Sequence, residues 1–151
     1  MSQEALVNAL DPVSAELASV DLGDVAAASR RVSELFPLDG PAVAELRDLA
    51  VEGMQEGWLL PKENGDIRFG RVAKDLHGFT VDAVLMHGPG PRHRHPDGEI
   101  DLCFALDGAP TFDGHPEGWT LYGPDSTHVP TVAGGTMLIL YFLPGGAIEF
   151  L

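Results

Sequence analysis

The chain has 151 residues, the size of one domain with a substantial buried core. Its 23 acidic residues outnumber 9 basic residues and give a formal net charge of −14. This acidic balance argues against nucleic acid or an anionic membrane as a partner. No apolar run approaches the roughly 20 residues that span a bilayer, and the first residues do not resemble a signal peptide. The single cysteine, Cys103, cannot form an internal disulfide, so we expect a cytoplasmic protein.

Residues 1–57 are predicted to form helices. Ala, Leu, Glu and Val dominate this segment, and its apolar residues recur at the three- to four-residue spacing of an amphipathic helix. Breaks are expected at Asp11-Pro12, Gly23-Asp24 and Pro37. Asp24 and Asp39 are expected to cap the second and third helices, and Gly57 is expected to end the third. We expect the segment to pack on the rest of the chain and not to form an independent domain.

From residue 58 the spacing of apolar residues shortens to two, which predicts β-strands. The expected strands are 66–74, 78–87, 99–106, 119–122, 127–132, 136–143 and 147–150. Asp107-Gly108 and Gly134-Gly135 are expected to be turns that separate strands. Many short strands divided by turns are typical of a β-sandwich or β-barrel, so residues 58–151 are expected to form one.

Three histidines and one glutamate are placed to share a ligand. In an extended strand alternate side chains point to one side, so His93 and His95 project together, about 7 Å apart. The turn Pro96-Asp97-Gly98 then brings Glu99 towards both imidazoles. A second proline-containing turn precedes His128, the fourth donor. These groups suit one divalent transition metal (Fe, Mn, Zn, Ni or Co). A polar strand face and a shared site without metal are the alternatives.

The residues after Glu99 alternate in character. If Glu99 points into the barrel, Asp101 points inward with it. Ile100, Leu102 and Phe104 then point outward, although they are too apolar to face water. The N-terminal helices are one possible cover and a second subunit is the other. We expect both, and therefore a homodimer.

The pattern His-x-His-x3-Glu, followed by a turn and a single histidine, resembles the two-part signature of the cupin superfamily. This resemblance implies a mainly β fold, a cupin-type double-stranded β-helix (jelly-roll barrel) with an N-terminal helical segment. Further blocks are similar to the 4-hydroxylaminobenzoate lyases, namely 67–72, 92–100, Phe112-Asp113-Gly114, Gly118-Trp119 and 140–150. Members of this family convert 4-hydroxylaminobenzoate to 3,4-dihydroxybenzoate (protocatechuate) with loss of ammonia, a step in bacterial nitroaromatic degradation.

The implied reaction suggests roles for individual residues. It must weaken an N–O bond, deliver water to the ring and release ammonia, which a positioned acid or a Lewis-acid metal would assist. Glu99 and Asp101 are therefore the candidate catalytic residues. The substrate carboxylate needs a cationic partner, for which arginine is suited. Alternation turns the arginines that flank His93 away from the histidines, which leaves Arg68 and Arg71 as the candidates for substrate binding.

Two other functions stay open at this point. One is a different metal-dependent cupin enzyme, a dioxygenase or isomerase, acting on a small aromatic or carboxylic acid. The other is a non-catalytic cupin in which His93, His95 and Glu99 only form hydrogen bonds with a small molecule. A small aromatic carboxylate is the expected partner of the enzyme.

Overall fold

The computed structural model describes residues 2–151, which begin with three helices. These are α1 (Gln3–Leu17), α2 (Val25–Leu35) and α3 (Pro41–Glu56). The expected break at Asp11-Pro12 is wrong, because α1 continues through Pro12. Proline removes one backbone hydrogen bond and leaves the carbonyl four residues earlier, at Asn8, without that donor. Both residues lie on the exposed side of α1, where water can satisfy that carbonyl. Among the described residues no helix is long and apolar enough to cross a bilayer.

Two of the three predicted helix caps are confirmed. The Asp24 side chain accepts a hydrogen bond from the Ala27 N–H and caps α2. Gly57 ends α3 in the left-handed conformation, at φ 91°, which glycine adopts without steric strain. Asp39 is not the cap of α3, because the N-cap position falls at Gly40.

In the described residues, nine strands form two antiparallel sheets. They are β1 (Lys62–Asn64), β2 (Ile67–Leu76), β3 (Phe79–Met86), β4 (His93–His95), β5 (Glu99–Phe112), β6 (Gly118–Tyr122), β7 (Ser126–His128), β8 (Val132–Pro144) and β9 (Glu149–Phe150). The larger sheet has the order β1-β2-β3-β8-β5-β6, and the smaller sheet has the order β7-β4-β9. The expected fold class, a mainly β cupin-type barrel with an N-terminal helical segment, is confirmed.

The longest strands, β5 and β8, run through both glycine pairs that were expected to be turns. The expectation is wrong because these glycines form irregularities within the β5–β8 ladder, with register shifts on either side of Asp107-Gly108. A Cβ atom on Gly108 would lie 2.5 Å from the Gly134 carbonyl oxygen, and one on Gly135 would lie 2.2 Å from the Asp107 carbonyl oxygen. Glycine is needed there for the close approach of two backbones and not for a chain reversal.

The sheet residues divide between two cores, as strand alternation predicted. Ile100, Leu102 and Phe104 of β5 are fully buried against the three N-terminal helices. The inward face of the same strand carries Glu99, Asp101 and Cys103, and Cys103 belongs to a second, smaller cluster inside the barrel. Because the helices already cover the outward residues of β5, that face gives no support to the expected homodimer.

One partly exposed ion pair links the helical layer to the barrel. The Arg47 guanidinium in α3 lies 2.5 Å from the Glu117 carboxylate and 5.3 Å from the centre of the Phe104 ring. Glu117 also accepts a hydrogen bond from the Ala105 N–H at 2.9 Å. A charged pair that is also held by backbone and ring contacts fixes the orientation of α3 on the sheet.

Because the helices share a core with the barrel, Leu46→Ala in α3 should destabilise the whole protein. Leu46 is 1% exposed, and truncation of such a leucine typically costs about 2–5 kcal/mol of unfolding free energy. Urea unfolding followed by circular dichroism and by tryptophan fluorescence should show one coincident transition that is shifted to lower urea. The exposed neighbour Glu45→Ala is the matched control, with an expected change within about 0.5 kcal/mol. Two separate transitions would show that residues 1–57 form an independent domain.

Candidate metal centre

The smaller sheet and the start of β5 bring four donor side chains together inside the barrel. His93 and His95 lie on β4, and His128 of β7 is the register partner of His93. Glu99 opens β5 after the turn that follows β4. One donor atom from each of the four residues lies within 4.8 Å of the other three. The structure therefore places in one cluster all four residues that the sequence suggested as metal ligands.

The three imidazoles converge through their Nε2 atoms. His128 Nε2 lies 3.0 Å from His93 Nε2 and 3.2 Å from His95 Nε2. One Glu99 oxygen lies 3.2 Å from His95 Nε2 and 3.9 Å from His93 Nε2, and the other lies 3.9 Å from His128 Nε2. His93, His95 and Glu99 are buried, and the His128 side chain is 12% exposed.

The outer nitrogen of each imidazole has its own hydrogen-bond acceptor. His93 Nδ1 lies 3.0 Å from the Pro91 carbonyl oxygen, which can only accept, so Nδ1 of His93 donates. His128 Nδ1 lies 2.6 Å from the Asp113 carboxylate. His95 Nδ1 lies 3.0 Å from the Ser126 hydroxyl, which donates its own proton to a backbone carbonyl and so accepts from His95. These bonds place all three protons on Nδ1 and leave the three Nε2 lone pairs directed at one another.

A bound cation would stabilise this arrangement more than a neutral molecule would. Three nitrogen lone pairs and a carboxylate repel one another at these distances, and neither Glu99 oxygen has a hydrogen-bond donor within residues 2–151. The donor set of three imidazoles and one carboxylate is one that divalent transition metals accept.

The site is electrostatically asymmetric. Burial lowers the pKa of His93, which keeps this imidazole neutral and able to bind a metal. Burial alone would raise the pKa of Glu99, but the adjacent His95 and Asp101 side chains lower it below its usual value. Burial and the neighbouring Glu99 charge raise the pKa of Asp101 well above its usual value. These opposite shifts favour the ionised form of Glu99 and the protonated form of Asp101.

Asp101 lies on the inward face, as alternation predicted. Its side chain is fully buried, and neither carboxyl oxygen has a partner that donates a hydrogen bond to it among the described residues. In the β-ladders its register partners are Thr120 of β6 and Tyr141 of β8. A buried acid without donors is most stable in the neutral form.

The two candidate arginines lie on opposite faces of β2. Arg68 alternates with Phe69, which packs on the inner core, so Arg68 points outward and its Nη2 donates to the Leu60 carbonyl oxygen at 3.3 Å. Arg71 is on the inward side, where its Nε donates to Asp82 at 2.9 Å. The structure does not bring the two arginines together, and their role in substrate binding stays a prediction.

Three further residues contact the histidines and are not indicated by the spacing of the ligands in the sequence. Asp113 and Ser126 accept hydrogen bonds from His128 and His95, and the Tyr122 ring lies 4.3 Å from the His128 ring, centre to centre. Asp113 stands within the block Phe112-Asp113-Gly114, which the sequence marked without giving it a role. Ser126 precedes His128 by two residues, but nothing local indicates that its hydroxyl reaches His95 in another strand.

A comparison with known protein families gives a match over most of this chain. The model described as "PnbB: 4-hydroxylaminobenzoate lyase" matches residues 10–150. The chain belongs to this family. The site described above, in which the four donors converge, thus lies inside the matched region.

Two curated relatives carry the name 4-hydroxylaminobenzoate lyase. The protein from Pseudomonas putida is 26% identical over 142 residues, which cover 80% of this chain and 81% of that protein. The protein from Nocardioides sp. (strain LMS-CY) is 31% identical over 116 residues, which cover 68% of each chain. Among solved structures, an RmlC-like cupin protein from Ralstonia eutropha JMP134 matches at 14% identity with a TM-score of 0.46, over 62% of this chain and 65% of that chain.

The only cysteine, Cys103, should be inert to thiol reagents in the folded protein. It is fully buried on the inner face of β5, and burial followed by the nearby Glu99 charge raises the pKa of its thiol. A raised pKa keeps the group as the thiol at pH 8, whereas the thiolate is the reactive form. Ellman's reagent should titrate no thiol in native buffer and one thiol per chain in 6 M guanidinium chloride. Labelling of the native protein within minutes would contradict the buried position.

Proposed function

We propose that the protein is a metal-dependent 4-hydroxylaminobenzoate lyase. The reaction consumes one water, converts 4-hydroxylaminobenzoate to 3,4-dihydroxybenzoate (protocatechuate) and releases one ammonia, as a step of nitroaromatic degradation. It balances without an external oxidant or reductant. The observation that carries the proposal is the buried cluster of three Nε2 atoms and one carboxylate, in a chain that belongs to the lyase family.

One divalent metal is the proposed cofactor, and Fe, Mn, Zn, Ni and Co remain the candidates. The Nε2 atoms of His93, His95 and His128 and the Glu99 carboxylate would hold it. When bound, such a metal acts as a Lewis acid towards the oxygen of the hydroxylamino group and towards water. The four residues would supply the metal with one negatively charged donor, the Glu99 carboxylate, and three neutral imidazoles.

Asp101 and Glu99 are proposed to deliver the proton that the leaving oxygen needs when the N–O bond breaks. The oxygen that leaves nitrogen must be protonated, and a buried neutral acid next to the site can supply that proton. Asp101 is such an acid, since it is fully buried and lies two residues from Glu99 on the same strand face. Glu99 is the proposed relay, because its oxygens lie 3.2–3.9 Å from the imidazole Nε2 atoms and Asp101 shares its strand face.

Arg71 is the better placed of the two arginines for the substrate carboxylate. Asp101, Tyr141, Asp82 and Arg71 are successive register partners across β5, β8, β3 and β2, so all four lie in one row on the inward face. Three interstrand spacings of about 4.8 Å separate the ends of this row by about 14 Å. Asp82 contacts the Arg71 Nε, and the two terminal nitrogens have no partner within residues 2–151. They are available to a carboxylate at the edge of the barrel.

We also propose that the enzyme works in the cytoplasm, which the lone free cysteine supports. The proposed homodimer needs a surface other than the outward face of β5. Val129, Phe150 and Leu151 are the large apolar side chains exposed in the described part of the chain, and they border the histidine strands.

The activity test uses purified protein loaded in turn with each candidate metal. It should form ammonia and 3,4-dihydroxybenzoate in equal amounts from 4-hydroxylaminobenzoate. Glu99→Gln keeps the shape of the side chain but removes its charge, and kcat/KM should fall at least about 100-fold. Bound metal is measured separately, so that loss of metal and loss of proton transfer are told apart. No ammonia with any metal would overturn the lyase proposal, and oxygen uptake instead would favour the dioxygenase.

The two arginines give a matched pair of variants. Arg71→Ala should raise the KM for 4-hydroxylaminobenzoate about tenfold or more, in keeping with loss of a charge-assisted hydrogen bond of about 1.5–3 kcal/mol. The uncharged analogue 4-hydroxylaminobenzene should be affected much less. Arg68→Ala, on the outer face of the same strand, should leave both KM values within about twofold. A larger effect from Arg68→Ala than from Arg71→Ala would reverse the assignment.

A further inference from the structure

Within residues 2–151, Asp113 is the one charged group that binds the Nδ1 atom of a candidate metal ligand. It lies just after β5, in the turn that begins with Phe112, and its carboxylate is half-buried. One oxygen, Oδ2, accepts a hydrogen bond from His128 Nδ1 at 2.6 Å and another from the Tyr122 hydroxyl. The other oxygen, Oδ1, accepts from the Thr131 N–H at 2.8 Å. Donors on both oxygens fix the plane of the carboxylate.

His128 depends on this contact more than the other two histidines depend on theirs. It lies at the end of β7, which has three residues and pairs only with β4 among the described strands. Asp113 reaches across from the larger sheet and binds both the His128 ring and the backbone at Thr131, three residues later. The chain around His128 is thereby tied to a longer and better anchored strand.

The chemistry of the three Nδ1 acceptors also differs. His93 donates to a backbone carbonyl oxygen and His95 donates to a hydroxyl, and both of these acceptors are neutral. His128 donates to a carboxylate. A carboxylate on Nδ1 strengthens the donor ability of Nε2 more than a neutral acceptor does, and it fixes the tautomer more firmly.

We propose that Asp113 is a positioning residue that holds His128 in the Nδ1-protonated tautomer and thereby sets the affinity of the cluster for a divalent metal. The claim about metal affinity rests on the proposed function. The claim about the His128 tautomer does not, since it concerns the metal-free protein. Asp113 does not touch the reacting atoms in this role and acts only through His128.

The variant that tests this role is Asp113→Asn. The backbone at position 113 has φ 50°, a left-handed conformation that asparagine tolerates at least as well as aspartate. An amide has only one accepting oxygen, so it cannot accept from both His128 and Thr131 while the two donors keep their positions. If the oxygen stays with Thr131, the NH2 group faces His128 Nδ1 and favours the tautomer with its proton on Nε2.

Two measurements read the effect. Nitrogen-15 NMR of the metal-free protein should find His128 protonated on Nδ1 in the parent chain and mainly on Nε2 in Asp113→Asn. The dissociation constant for Co²⁺, followed by its visible absorption, should rise about 10- to 100-fold in the variant. Asp66→Asn, the same change at an exposed residue between β1 and β2, should alter neither quantity.

The outcomes separate this inference from the proposed function. If the parent chain binds no Co²⁺, the metal centre is wrong, while the NMR result still decides the role of Asp113. An unchanged His128 tautomer in Asp113→Asn overturns the inference. Tyr122→Phe removes a neighbouring hydroxyl but keeps the carboxylate, so it should retain the Nδ1 tautomer. If Tyr122→Phe weakens Co²⁺ binding as much as Asp113→Asn does, packing is responsible and the inference is also overturned.

Discussion

The convergence of three imidazole Nε2 atoms and one carboxylate is the constraint on which the rest of the structure depends. These groups lie 3.0–3.9 Å apart in a buried place, where lone pairs and negative charge repel one another unless a cation lies among them. The fold therefore has to prevent the imidazoles and the carboxylate from turning away from one another. It does so by giving each Nδ1 its own acceptor and by placing the donors on hydrogen-bonded strands of both sheets.

The helical layer and the site occupy opposite faces of the same strand. In β5 the side chains of Ile100, Leu102 and Phe104 are buried under the helices, while Glu99 and Asp101 face the interior. The strand is therefore solvated on neither face, and both carboxyl groups are buried. Burial of this kind raises the pKa of Asp101 well above its usual value and so favours its neutral form.

Position in the ladder, more than nearness in sequence, decides which polar residues can cooperate. Asp101 and Arg71 are thirty positions apart but lie in one row across four strands. Arg68 is three residues from Arg71 and faces the other way. The glycines at 108, 134 and 135 allow this ladder to continue past the points where turns were expected, because they let the β5 and β8 backbones approach closely.

The sequence by itself determined the features that depend on local spacing. The period of two placed Glu99 and Asp101 on one strand face and the apolar residues of β5 on the other, and the two turns marked all four donors of the cluster. Tertiary structure alone decided the features that depend on pairing between distant segments. These include the hydrogen bonds from His128 to Asp113 and from His95 to Ser126, the opposite faces of the two arginines relative to the site, and the glycine irregularities in β5 and β8. Side-chain alternation follows from the backbone of one strand, whereas these contacts require the register between strands, which no single stretch of residues specifies.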